Sequence, residues 1–323
     1  MKKKKDRIVF LDAGTVDWGD VSLAGFENFG DFKAYHDTAS SEIEKRIHGA
    51  KIVITNKYAF DRARLSRFKT VRLIAVAATG VNNIDLDAAR DYKIAVTNVS
   101  GYSTESVVQS TFAFILALAG NLVKYNRDAQ DGRWSRSPFF TLGLYPIREI
   151  AGKTLGIIGY GTIGRRVARV ANAFGMRVLA ARIPGRNYPT SDRIKRVPFE
   201  TVIRTADFVT VHTPLTELTR GLINARIIRK MKQGAFLINM ARGGIIDEKA
   251  LRRALESGHL GGAACDLLTA EPPPRNHVLL GAPNLLVTPH IAWASREARQ
   301  RLVHEIALNI KAFQDGRRRN LVV

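Results

Sequence analysis

Three side chains of complementary chemistry stand at one kind of position in the second half of the chain. Arg242 follows the apolar run "AFLIN" within "NMARGGIIDEKAL" (239–251), just before a glycine pair. Asp266 closes the run "GGAACD", and Glu271 stands in the loop "LLTAEPPP" behind it. His290 follows "NLLVTP". Open α/β sheets bind ligands at the carboxyl ends of their strands. A guanidinium delivered there can hold an anion, a carboxylate can orient a ring, and an imidazole can transfer a proton. Taken singly, an arginine is more often a salt-bridge partner and a histidine a satisfied surface group. Equivalent placement at separate strand ends makes Arg242, Glu271 and His290 a candidate catalytic set.

A second motif lies upstream. "GIIGYGTIG" (156–164) carries Gly159, Gly161 and Gly164 as GxGxxG, with Tyr160, Thr162 and Ile163 between them. A strand-like run precedes it and the helical segment "IGRRVARVANAFG" follows. The first glycine permits a tight turn, the second admits a pyrophosphate, and the third lets helix and strand pack closely. The helix N-terminus then offers N–H groups to the phosphates. NAD sites of this kind carry a carboxylate at the end of the next strand. Here Ala181 is neutral and Arg182 is cationic, with Arg186 four residues on. A carboxylate repels a 2′-phosphate, whereas a guanidinium pairs with it. The site is therefore expected to accept NADP(H) and to prefer it, with NAD(H) also possible. The alternative is that both arginines point to solvent and either cofactor is tolerated.

The elements that must position these residues alternate along the chain. Apolar, β-branched runs occur at 7–11, 51–55, 72–78 and 93–98, with helical spacing between them. Residues 103–130 read as one long helical stretch, with Ser103 as N-cap. A second series follows at 154–159, 177–181, 207–212, 235–240, 261–267 and 284–289. Strands alternating with helices predict parallel, doubly wound sheets, and two series predict two α/β domains. A last periodic helix at about 295–314 could return to the first domain.

Composition bounds the rest. The chain has 323 residues, 46% hydrophobic and 24% charged, enough for two packed cores. Fifty Lys and Arg against 29 Asp and Glu give a net charge of +21. The basic residues are spread out, apart from "KKKK" (2–5) and "GRRR" (316–319), and no nucleic-acid-binding signature accompanies them. A basic solvated surface that gathers anionic substrates is favoured over nucleic-acid binding. The apolar run after the N-terminal lysines ends at Asp12, too short for a signal peptide's core. No stretch approaches a membrane span, so a cytoplasmic location is expected. Cys265, the single cysteine, is expected to be a buried small hydrophobe, and no Cys/His cluster has metal-ligand spacing.

These motifs resemble those of the D-isomer-specific 2-hydroxyacid dehydrogenase family over nearly the whole chain, most densely from Val96 to Arg299. The nucleotide-binding segment, "HTPLTELTRGLINARIIRKMKQGAFLINMARGGIIDEKAL" (212–251), "GGAACDLLTAEPPP" and "NLLVTPHIAWAS" carry the resemblance. It implies that Arg242, Glu271 and His290 are catalytic. It implies that Asp266 lies beside the nicotinamide carboxamide, and that His212, Pro214 and Ala241 border the cofactor. "AVAATGVNNID" (75–85) is similar to the substrate loop, where the backbone of Thr79, Gly80 and Val81 would join Arg242 and His290 at the substrate. Trp293 and Ser295 would line the substrate pocket or pack in the core. Trp134 and Phe139–Phe140 would fill a subunit interface or reach the neighbouring subunit's cleft. "GRWSRSP" (132–138) and "HIAWASREARQRL" (290–302) look most like the hydroxypyruvate reductase, or glycerate dehydrogenase, branch. The implied fold is a Rossmann cofactor domain at 103–294 and a flavodoxin-like, discontinuous substrate domain at 1–102 and 295–323. The implied assembly is a homodimer joined largely through the cofactor domains. The implied reaction is reversible NAD(P)H-dependent reduction of hydroxypyruvate or glyoxylate to the D-2-hydroxy acid. The alternatives are another 2-hydroxy acid, or a nucleotide-sensing corepressor on the same scaffold. Retention of Arg242, Glu271 and His290 favours the enzyme.

Overall fold

The structure, a computed structural model, describes residues 5–188 and 195–323, so most of the N-terminal lysine run lies outside the described residues. The chain divides into two compact units, Met1–Ser103 with Ala294–Val323, and Thr104–Trp293.

In the first unit the β-branched runs become β1 (Arg7–Phe10), β3 (Ile52–Thr55), β4 (Leu73–Val76) and β5 (Ala95–Thr97), joined by β2 (Asp31–Ala34). All neighbours pair parallel, in the order β2-β1-β3-β4-β5, the flavodoxin-like order. β3 and β4 are buried at every position because both faces are covered, so they read as continuous apolar runs. β2 ("DFKA") escapes hydropathy because it is a mostly exposed edge strand. The C-terminal residues close the other edge: Val96 N donates to Val323 O (2.9 Å) and Val322 N to Val96 O (2.8 Å). The helix Arg296–Gln314 belongs to this unit, and Ser295 caps it through Ala298 N (3.2 Å). Its Arg299, 2% exposed, makes a two-pronged pair with Asp20 (2.6 and 2.7 Å).

The second unit contains β6 (Thr154–Ile158), β7 (Arg177–Arg182), β8 (Val197–Pro198), β9 (Phe208–Val211), β10 (Ala235–Asn239), β11 (Leu260–Cys265) and β12 (Leu285–Val287). Their order is β12-β11-β10-β9-β6-β7-β8, all parallel. Counted from β6, this is the Rossmann order with one added strand, and its topological switch point lies between β6 and β9. Alternate strand residues feed cores on opposite faces. Val209, Val211 and Leu237 serve one, and Ile157, Phe208 and Phe236 the other, with the Phe208 and Phe236 rings stacked at 4.9 Å.

The helical stretch expected over 103–130 is two helices, Thr104–Ala119 and Leu122–Gln130, bent by 63°. Gly120 weakens the helix, and Asn121 takes a left-handed conformation (φ 48°) that ends it. Among the described residues no single helix is long and apolar enough to cross a membrane.

Candidate active site

Asn239 ends β10 and is 2% exposed. Its side chain closes the following turn, accepting from Ala241 N (3.1 Å) and donating to Arg242 O (3.0 Å). Arg242 is thereby presented at the surface. Its guanidinium donates to Ala241 O (2.8 Å), and no described carboxylate pairs with it. A cation held this way is free to receive a ligand carboxylate. The next residue, Gly243, packs directly on the Leu268–Thr269 peptide, where a Cβ would collide. The arginine turn and the Glu271 loop are therefore in backbone contact.

That loop is pinned at several points. Glu271 Oε1 accepts from Leu268 N (3.1 Å). Glu248, in the first turn of the helix Glu248–Glu256, accepts from Thr269 N (2.8 Å) and faces His277 Nε2 at 3.2 Å. The second oxygen of Glu271 meets His290 Nδ1 at 2.9 Å, with both side chains about a third exposed. This contact assigns Nδ1 as the donor and leaves Nε2, which bonds no described residue, as the outward nitrogen.

His290 sits in a left-handed backbone conformation (φ 56°), costly for a residue with a Cβ and held only where the surroundings enforce it. Asp266 enforces it. This carboxylate, 2% exposed, accepts from Thr288 Oγ1 (2.6 Å), Ile291 N (2.9 Å) and Ala292 N (3.1 Å), while Asp266 O receives His290 N (2.9 Å). Asp266, expected beside the nicotinamide carboxamide, thus spends both oxygens on the turn that carries His290. Ser106 Oγ holds the far end of the turn through Ala292 O (2.6 Å).

At the switch point each glycine of the GxGxxG turn answers to a different neighbour. Gly159 (φ 101°) touches the end of β9, where an added Cβ would lie 2.6 Å from His212 C and Thr213 N. A Cβ on Gly164 would strike the Gly159 carbonyl. A Cβ on Gly161 would meet nothing within 4 Å, although its φ of −87° suits any residue. The described residues therefore leave the space at Gly161 open. At the end of β9, beside Gly159, both ring nitrogens of His212 and the Thr213 hydroxyl are buried without a hydrogen-bond partner among the described residues. Burial pushes the His212 imidazole down to about 3, so it is neutral. Open backbone space and unpaired polar groups on the two sides of this crevice fit a dinucleotide, with Tyr160, Thr162 and Ile163 lining the turn and Pro214 following the crevice wall.

Arg182 and Arg186 are exposed at the end of β7, and neither pairs with a described carboxylate. Thr79, Gly80 and Val81 belong to the first unit. Thr79 is anchored by its hydroxyl to Val99 O (2.8 Å), and the three backbone N–H groups bond no described residue. Trp293 packs against a core cluster, and Ser295 is the helix cap described above. Trp134, Phe139 and Phe140 are exposed. Cys265 is buried and its thiol is pushed up to about 12. No group of described His, Cys, Asp and Glu could hold a metal. Sequence reasoning passed over Asn239 and Glu248. Asn239 reads as a strand end, and Glu248 as an ordinary first-turn acid.

A Rossmann unit whose strand ends carry a cation, a carboxylate and an imidazole beside the nucleotide crevice defines a pyridine-nucleotide oxidoreductase. Comparison with known proteins narrows the class. Residues 112–292 match the model described as "D-isomer specific 2-hydroxyacid dehydrogenase, NAD binding domain". A putative 2-hydroxyacid dehydrogenase of Haemophilus influenzae is 44% identical, over 95% of this chain and 98% of its own length. A glycerate dehydrogenase of Methylorubrum extorquens is 40% identical over 98% of each. The solved structure of an acyclic imino acid reductase, in complex with NADPH and D-Arg, superposes with a TM-score of 0.85 at 27% identity, covering 98% of this chain and all of that one. The chain belongs to the D-isomer-specific 2-hydroxyacid dehydrogenase family and is an enzyme of that family.

Proposed function

We propose that this enzyme reduces hydroxypyruvate or glyoxylate to the D-2-hydroxy acid, prefers NADPH, and works as a homodimer. The observation that carries the reading is the 2.9 Å contact between Glu271 Oε2 and His290 Nδ1, in a loop packed against the turn of the unpaired Arg242. Relatives named glycerate dehydrogenase and hydroxypyruvate reductase, alignable over nearly the full chain, support the substrate class.

Arg242 binds the substrate carboxylate and draws electron density toward the neighbouring ketone oxygen. The Gly159–Gly164 turn would hold the pyrophosphate of the reduced dinucleotide, which when bound would supply the hydride for the ketone carbon. The ketone oxygen gains negative charge and takes its proton from His290 Nε2. Glu271 keeps Nδ1 engaged, so the ring cannot turn away, and its charge offsets that of the imidazolium. In the oxidative direction the neutral ring accepts the alcohol proton. The free N–H groups of Thr79, Gly80 and Val81 give the first unit its own anion donors.

The NADPH preference rests on Arg182 and Arg186 standing where a ribose-binding carboxylate would repel a 2′-phosphate. The homodimer rests on apolar side chains of the second unit left in water: Leu122 (62% exposed), Phe139 (72%), Phe140 (92%) and Ile147 (70%). Steady-state consumption of NADPH and NADH, measured with hydroxypyruvate, glyoxylate and pyruvate, tests the reading. The expected result is the largest kcat/KM with NADPH and one of the first two acids. No turnover with any pair contradicts the substrate class, and a strong NADH preference contradicts the cofactor assignment.

A further inference from the structure

After β7 the chain turns back on itself. Arg186 N donates to Ile183 O (3.2 Å), and Ile183 N donates to the Tyr188 hydroxyl (3.0 Å). The phenol is thus tied to the end of the strand, and its half-buried ring faces a set of cations. The guanidinium carbons of Arg182, Arg186 and Arg196 lie 5.4, 5.5 and 4.3 Å from its centroid. Arg196 is brought there by β8, whose Val197 and Pro198 pair with Ala181 and Arg182.

Arg182 and Arg186, which pair with no described carboxylate, therefore bring two formal positive charges to a ring that Arg196 also faces, at the strand end where the ribose-binding side chain of a dinucleotide site belongs. An aromatic face attracts each cation only modestly at an exposed site, while the cations repel one another. A dianion among them relieves that repulsion and accepts charge-assisted hydrogen bonds from several guanidinium groups at once. No described carboxylate pairs with Arg182 or Arg186. The position excludes the pyrophosphate, which belongs at Gly161 on the neighbouring strand end.

We propose that Tyr188 is the platform that gathers Arg182, Arg186 and Arg196 into a receptor for the 2′-phosphate monoester of NADP(H), and that Tyr188 and Arg196 set the choice of dinucleotide. The ring holds the guanidinium groups in place before the ligand arrives, so less side-chain freedom is lost on binding. The hydroxyl fixes where the ring stands. This proposal rests on the NADPH reading but adds two residues to it.

The test is equilibrium titration calorimetry of the full-length protein with adenosine 2′,5′-bisphosphate and with 5′-AMP, which differ only in the 2′-phosphate. The wild type is expected to bind the bisphosphate at least about tenfold tighter. Tyr188→Leu and Arg196→Gln are each expected to remove most of that preference, about tenfold, while 5′-AMP binds as before. Tyr188→Phe keeps the ring, loses the tether to Ile183, and falls between. Unchanged 5′-AMP affinity reports an intact fold. If the wild type shows no preference, the NADPH reading fails and takes this proposal with it. If the wild type prefers the bisphosphate and both Tyr188→Leu and Arg196→Gln keep the full preference, the NADPH reading stands and this proposal is overturned. Weakened binding of a single-stranded oligonucleotide in the variants, with the bisphosphate preference intact, would likewise overturn it by marking a polyanion patch.

Discussion

Alanine at Gly161 and alanine at Gly159 should produce opposite defects, although the two residues are neighbours in one turn. At Gly159 the φ of 101° penalises any Cβ, and the added atom would lie 2.6 Å from the His212–Thr213 peptide. Left-handed backbone costs about 1–3 kcal/mol and forced overpacking about 1–3 kcal/mol more, so Gly159→Ala should lose about 2–6 kcal/mol of stability. For a unit of this size that is a fall in Tm of about 4 °C or more. At Gly161 the φ of −87° is ordinary and the new methyl group meets no protein atom within 4 Å. Its cost to the fold should be about 0.5 kcal/mol or less, a shift of about 2 °C at most. The same methyl group would occupy the space left for the pyrophosphate. Overpacking of about 1–3 kcal/mol against the ligand weakens the dinucleotide Kd roughly 5- to 150-fold. Differential scanning fluorimetry and titration of NADPH fluorescence measure the two quantities on the same samples. An unchanged Kd in Gly161→Ala would refute the assignment of the crevice. A melting loss as large as that of Gly159→Ala would refute the reading of the open space.

Three further substitutions probe other parts of the structure. Asp266→Asn replaces one acceptor oxygen with an NH2 group facing Ala292 N–H and removes the charge that gathers Thr288, Ile291 and Ala292. It should cost about 1–3 kcal/mol of stability and lower kcat, and a variant with wild-type Tm and kcat would show that the His290 turn holds itself. His212 has an ordinary value of 6.5 that burial lowers to about 3. Between those values the unfolded chain takes up a proton that the folded chain does not, so stability is lost as pH falls, by up to about 1.4 kcal/mol per unit. His212→Gln lacks this term, so its Tm should fall less steeply than the wild type's from pH 6.5 downward; parallel profiles would contradict the buried neutral ring. Phe140→Asp puts a charge on a side chain that is 92% exposed, so it should leave Tm nearly unchanged while converting dimer to monomer in sedimentation velocity. An unaffected dimer would place the interface elsewhere.

The legible parts of this chain are those in which one physical rule acts alone. β3, β4, β6, β9 and β10 are buried at every position, and a run of apolar β-branched residues admits few other readings. GxGxxG is legible because Gly159 and Gly164 answer steric demands of the fold while Gly161 leaves the space between them open. Arg242, Glu271 and His290 stand out because each polar residue interrupts or follows a strand. β2 does not stand out, since "DFKA" buries little and is held by backbone pairing with β1. The break at Gly120–Asn121 is set by a single left-handed residue, which the apolar spacing on both sides conceals. The positioning work of Asp266 and Glu248 is hidden for another reason. Their partners are backbone N–H groups, which every sequence supplies and none advertises. Tyr188 lies in a turn without periodicity, and its ring matters only because β8 returns Arg196 to it.

In the proposed reaction His290 delivers the proton to the substrate oxygen. His290→Asn tests it most directly, because asparagine tolerates the left-handed backbone that this position imposes and carries no group that transfers a proton at neutral pH. The measurement is the single-turnover rate of hydroxypyruvate reduction by pre-bound NADPH, with the NADPH Kd determined on the same protein. An unchanged Kd and a rate lower by roughly a hundred- to ten-thousandfold are expected. A variant that binds NADPH normally and turns over within a few-fold of the wild type would contradict this role of His290.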